Sequence, residues 1–94
     1  LKLAKELQDL AGKLDSNGNY TKGDIIVKSG KTEVAVYLSK LDDKSLEALK
    51  KLGFVKLLES KAVNMVLGSI EVKKLEDLAW LEAVRRVEPP NLVK

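Results

Sequence analysis

Residues 44–59, KSLEALKKLGFVKLLE, align without a gap on residues 73–88, KKLEDLAWLEAVRRVE, at an offset of 29. Seven positions are identical: Lys44/Lys73, Leu46/Leu75, Glu47/Glu76, Leu49/Leu78, Leu52/Leu81, Val55/Val84 and Glu59/Glu88. Leu58 and Val87 form a conservative eighth pair. This repeat limits the fold more than any other feature, because two copies with one apolar pattern must find equivalent cover. Leu46, Leu49 and Leu52 recur at helical spacing, and so do Leu75, Leu78 and Leu81. Asp42 or Asp43 can cap the first helix, and Gly53 can end it in a left-handed turn. FVKLLES and AVRRVE then read as strands. β-Branched runs precede each helix, EVAVYLS at 33–39 and AVNMVLGSIEV at 62–72. The order is strand-helix-strand, twice.

A solenoid needs more copies than this to cover its core. Two β-α-β units fit instead the split β-α-β plan, so an α+β, ferredoxin-like fold is expected: a four-stranded antiparallel sheet with two helices on one face. The link between the second and third strands falls near Ser60-Lys61. Residues 1–32 lie outside the repeat. There Leu3, Leu7, Leu10 and Leu14 share one face of an expected N-terminal helix, packed on the domain or docked on another chain. DSNGNYTKGD is turn chemistry, and IIVKSGK can add a short strand. The expected division is 1–32, N-terminal helix and turn-rich extension; 33–90, ferredoxin-like domain; 91–94, C-terminal tail.

Composition narrows the chemistry. With no histidine and no cysteine, the chain holds no Ser-His-Asp or Cys-His arrangement, no disulfide and no thiolate metal site. No enzyme, catalytic residue, metal or cofactor is expected. The net charge of +3 comes from 17 basic and 14 acidic residues interleaved as on a solvated surface, which disfavours a nucleic-acid partner. No apolar run is long enough for a membrane span, and no signal peptide is visible. Leu1 stands where a full reading frame would begin with Met, so a processed or trimmed piece is expected.

The stretch VNMVLGSIEVKKLEDLAWLEAVRRVEPP resembles the end of propeptide domains of subtilisin-like serine proteases, especially the fervidolysin-like prodomain. Asn64, Val66, Ile70, Leu75, Glu76, Leu78, Ala79, Val84, Arg85, Val87, Glu88 and Pro89 fit that family's pattern. Glu71, Lys73, Glu82-Ala83 and Arg86 depart from it. The resemblance covers about residues 33–90 and implies an intramolecular chaperone and inhibitor of a subtilisin-like protease, in cis or in trans. It implies a secreted or cell-envelope location. In such domains the open sheet face lies on two protease helices, and the C-terminal tail runs through the active-site cleft.

Four features carry the site expectations. Strand 62–72 is apolar on both faces, with Val66 and Ile70 on one and Val63, Met65 and Leu67 on the other, so something covers the outer face. The cover is the chain's own N-terminal helix, a homodimer partner, a protease or a small ligand in a pocket; Met65 and Leu67 are the sheet-face contact candidates. Glu59, near the turn, is a solvated glutamate or, as the resemblance implies, a cap for protease helix N-termini. Trp80 is expected to be partly buried at the domain edge. Pro89 and Pro90 have no N–H for a ladder and stop the last strand, leaving Asn91, Leu92, Val93 and Lys94 extended for a cleft, or merely opening a linker. The alternative function is a small α/β interaction or assembly domain that dimerises through the same sheet face.

Overall fold

The computed structural model describes residues 2–90. Its strands are β1 (Tyr20–Lys22), β2 (Ile25–Lys28), β3 (Lys31–Leu38), β4 (Val55–Ser60), β5 (Met65–Glu71) and β6 (Val84–Glu88); its helices are α1 (Asp43–Lys51) and α2 (Leu75–Trp80). They build an α+β fold with one open, six-stranded, mostly antiparallel sheet. β3 is its axis. β5 follows one side of β3 from Lys31↔Glu71 to Tyr37↔Met65, and β4 lies outside β5. The other side of β3 is shared: β2 pairs at its start, through Val27↔Thr32 and Lys28↔Lys31, and β6 pairs at its end, from Ala35↔Glu88 to Leu38↔Val84. The expected neighbours, strands 33–39 and 62–72, are therefore adjacent. The second is shorter than expected, because Asn64 turns the chain at φ 54 before β5 starts.

α1 forms where its end signals stand. Asp42 Oδ1 accepts a hydrogen bond from the Ser45 N–H at 2.9 Å. At the other end Gly53 adopts φ 91, its N–H bonds the Lys50 carbonyl, and the Phe54 N–H bonds the Leu49 carbonyl. Those two bonds close a Schellman turn. α2 is shorter and has no side-chain cap; the turn of 3-10 helix Val72–Lys74 leads into it. The β2–β3 hairpin turns through Ser29 (φ 52) and Gly30 (φ 77), both left-handed, as a two-residue hairpin loop twisted to match its strands requires.

The expected N-terminal α-helix is absent. Residues 5–7 and 10–13 form short 3-10 turns, split by Asp9 at φ 59. Before them the chain is extended along β6: the Ala4 N–H donates to the Val87 carbonyl, and the Val87 N–H to the Lys2 carbonyl, both at 2.9 Å. Leu3, Leu7 and Leu10 are nonetheless all buried. The 3,7,10 spacing that reads as a helix stripe is met here by three inward contacts of a broken segment. Tyr20–Lys22, which reads as turn, is strand β1 paired with β2.

Two faces follow from the pleat. Val34, Val36 and Leu38 of β3, Val66 and Ile70 of β5, and Val84 and Val87 of β6 point to the covered face, where they meet Leu49 of α1 and Leu75 and Leu78 of α2. Leu3, Leu7, Leu10, Ile25 and Val27 belong to the same buried cluster. Gly68 sits in this layer because Phe54 lies over it: a Cβ there would stand 2.5 Å from Phe54 Cζ and would also meet the Val55 carbonyl.

Candidate functional site

The opposite face of the sheet carries no helix in the described residues, and the strand registers order its side chains into rows. Ser60, Met65, Tyr37 and Arg86 form one row across β4, β5, β3 and β6; Leu58, Leu67, Ala35 and Glu88 form the next; Val55, Ser69 and Glu33 follow. Met65, Leu67 and Tyr37 are half-buried, Ala35 is buried, and Val55 and Leu58 are exposed. The result is an apolar strip running from the β4 edge to the sheet centre. Cross-strand neighbours 4.5–5.5 Å apart shade one another's flanks, at about that spacing, so these side chains keep their tips in solvent without a cover. The register sets Met65 across from Tyr37 and Leu67 across from Ala35 on this face.

Polar groups rim the strip. The Arg86 guanidinium lies over the Tyr37 ring, 4.4 Å from its centroid, and its Nε is 2.9 Å from Glu88 Oε2. Arg86 reads in the sequence as a departure from the resemblance, where an outward aromatic is common; here the aromatic comes from the neighbouring strand and the cation covers it.

The double proline sits at a joint. β6 and the β1–β2 hairpin occupy the same flank of β3, and the chain leaves β6 between them. Pro89 is half-buried beside Tyr20, Gly23 and Ile25. Pro90 is buried beside Ile26, Thr32, Glu33 and Ser69 in a cleft of about 320 Å³. Both prolines thus pack within the domain. The tail residues Asn91, Leu92, Val93 and Lys94 lie outside the described residues.

Glu59 is the second-last residue of β4, and its Oε1 accepts a hydrogen bond from Lys56 Nζ at 2.7 Å. That bond holds the Glu59 carboxyl below its ordinary pKa. Its position three residues after Lys56 would put the two on opposite faces of a regular strand. They meet because β4 carries a bulge: Lys56 pairs with Gly68, Leu58 with Leu67, and Leu57 is the extra residue. Nothing in the local sequence marks this bulge.

Trp80 corrects an expectation. It is 78% exposed at the end of α2, not partly buried. Beyond it, α1 and the start of β4 enclose a groove of about 710 Å³ over Leu46, Leu49 and Phe54, with Asp43, Glu47, Lys50 and Lys56 on its rim. Compared with known proteins, the chain matches no family model, no curated protein and no solved structure. Among the described residues no three His, Cys, Asp or Glu side chains gather to hold a metal ion, and no helix is long and apolar enough to cross a membrane. What the open face offers is an apolar strip with a mixed-charge rim.

Proposed function

We propose that this chain is a propeptide-like intramolecular chaperone and inhibitor of a subtilisin-like serine protease, acting in cis or in trans. It is a binding domain, not an enzyme, and its setting is secreted or cell-envelope. Within this reading residues 33–88 are a ferredoxin-like split β-α-β unit. The strand order supports it: β3 and β5 are central neighbours, β4 and β6 flank them, and all three contacts are antiparallel. The observation that carries the reading is the apolar strip of Tyr37, Met65, Leu67 and Leu58 on the uncovered face. That strip is where a protease would lie, with the tail after Pro90 entering the cleft, and Glu59, on the covered side of β4, would meet protease helices around the sheet edge.

The test is inhibition of a panel of subtilisin-like proteases by the purified chain, with a peptide substrate as readout. Inhibition of at least one protease is expected. Removing residues 91–94 should abolish inhibition while leaving measurable binding, and Met65→Lys with Leu67→Lys should abolish both with the circular-dichroism spectrum unchanged. Absence of binding and inhibition across the panel overturns the proposal. A double variant that loses a homodimer instead assigns the face to assembly.

A further inference from the structure

The free edge of β4 is self-complementary, and we propose that it pairs with the β4 edge of a second copy of this chain. β4 is the last strand on its side of the sheet. At six residues it is twice as long as β1, the outermost strand at the other end. Val55, Leu57 and Leu58 are all exposed along it. A strand edge with unpaired N–H and C=O groups is a template for another strand, and natural edges are usually blunted. This edge carries a lysine and a bulge, two common blunting devices, but here the lysine is matched by a glutamate in the same strand.

The argument rests on the bulge. Val55, Leu58 and Ser60 oppose the open-face residues Ser69, Leu67 and Met65, while Lys56 and Glu59 oppose the covered-face residues Gly68 and Val66. With Leu57 as the extra residue beside Leu58, that pair is flanked alike on both sides: Lys56 and Glu59 face the covered side, and Val55 and Ser60 the open side. A second copy related by a twofold axis perpendicular to the sheet, centred on Leu57-Leu58, runs antiparallel and keeps the same face up. Lys56 of each copy then stands across from Glu59 of the other, on the same face, twice. Val55 stands across from Ser60, and the Leu57-Leu58 pair meets its own image. Without the bulge, Lys56 and Glu59 would lie on opposite faces and could not face each other in any antiparallel register. The bond of 2.7 Å between Lys56 and Glu59 within one chain places the two charges side by side, so the dimer would hold four charges of alternating sign. The two sheets become continuous across the axis, and the apolar strips that begin at Val55 and Leu58 join.

This surface is distinct from the open face and does not depend on the protease reading. Sedimentation equilibrium of the purified chain is expected to show a dimer fraction that rises through the micromolar range. Lys56→Glu or Glu59→Lys sets like charges opposite each other at both pairs and should weaken self-association about tenfold or more. Mixing the two variants should restore association as a heterodimer, since both facing pairs are then opposite in sign. The combined exchange in one chain should restore the homodimer. Met65→Lys with Leu67→Lys should leave the dimer intact. A chain that stays monomeric throughout, or a dimer indifferent to both charge reversals, overturns the proposal; a dimer lost only in the Met65/Leu67 variant assigns association to the sheet face. Circular dichroism of each variant, and the mixing arm, separate misfolding from lost pairing.

Discussion

The two strands that close the two repeat units, β4 and β6, have aligned sequences and opposite fates. Val55 is 58% exposed where its repeat partner Val84 is 1% exposed, and Leu58 is 50% exposed where Val87 is fully buried. The difference begins at the preceding turn. Gly53 takes a left-handed conformation and brings Phe54 into the core immediately after α1. Glu82 occupies the aligned position after α2, and there the chain needs one residue more before Val84 reaches the core. That single-residue slip carries Val55 and Leu58 to the face opposite the one Val84 and Val87 occupy. The surroundings then complete the contrast: the N-terminal segment lies along the outer edge of β6, and no strand among the described residues lies along the outer edge of β4. The lesson is that a sequence repeat of helices need not extend to the strands that follow them.

The contrast can be broken most decisively at Leu3 and Leu58. Leu3→Ala leaves a hole between the N-terminal segment and the core and should cost about 2–5 kcal/mol. Leu58→Ala should change stability by no more than about 0.5 kcal/mol, because its side chain is already half in water. Urea unfolding of both variants decides; comparable losses would mean that β4 is covered in solution. A smaller effect sharpens the turn argument. Gly53→Ala forces a side chain into the left-handed region and should cost about 1–2 kcal/mol, while Glu82→Ala at the aligned exposed position should stay within about 0.5 kcal/mol. Equal effects would show that the slip does not depend on the glycine.

The smallest effect concerns acid. The Ser45 backbone hydrogen bond, and then that of its side chain, hold the Asp42 carboxyl below its ordinary value of 3.8. A carboxyl lowered on folding contributes stability that is present above its unfolded pKa and lost as pH falls through the folded one. Unfolding midpoints should therefore fall as pH drops below the ordinary carboxyl range, and Asp42→Asn, which can still accept the bond, should flatten part of that fall. α2 has no such cap, so this capping contact belongs to the first unit. An unchanged pH profile in Asp42→Asn would remove this difference between the units.

What the sequence disclosed follows the same line. Both ends of α1, the four strands of the repeat and the adjacency of β3 and β5 are legible, because capping residues, β-branched runs and the repeat are local or periodic signals. The N-terminal leucines mislead, since their spacing suits a helix and a broken inward-facing segment equally, and only Asp9 and the pairing with β6 choose between them. Tyr20–Lys22 reads as turn because Asn, Gly and Asp crowd around it, and becomes strand through its partner β2. Two-sided apolarity in β5 reads as an outer face that something covers, and which of its faces is core emerges only from the register. The β4 bulge and the exposure of Trp80 depend on tertiary placement and leave no local sign.

The pairing of Lys2 and Ala4 with Val87 has a consequence in time. As the chain is made, Leu3 emerges long before the β6 edge beside which it settles. Until residues 84–88 have been made, Leu3 has no docking strand and remains available to chance contacts. The early segment must hold its ends open across a loop of nearly the whole chain, and closing so long a loop delays native contacts rather than weakening them. Completion of β6, rather than formation of either helix, is thus the event that seals the domain.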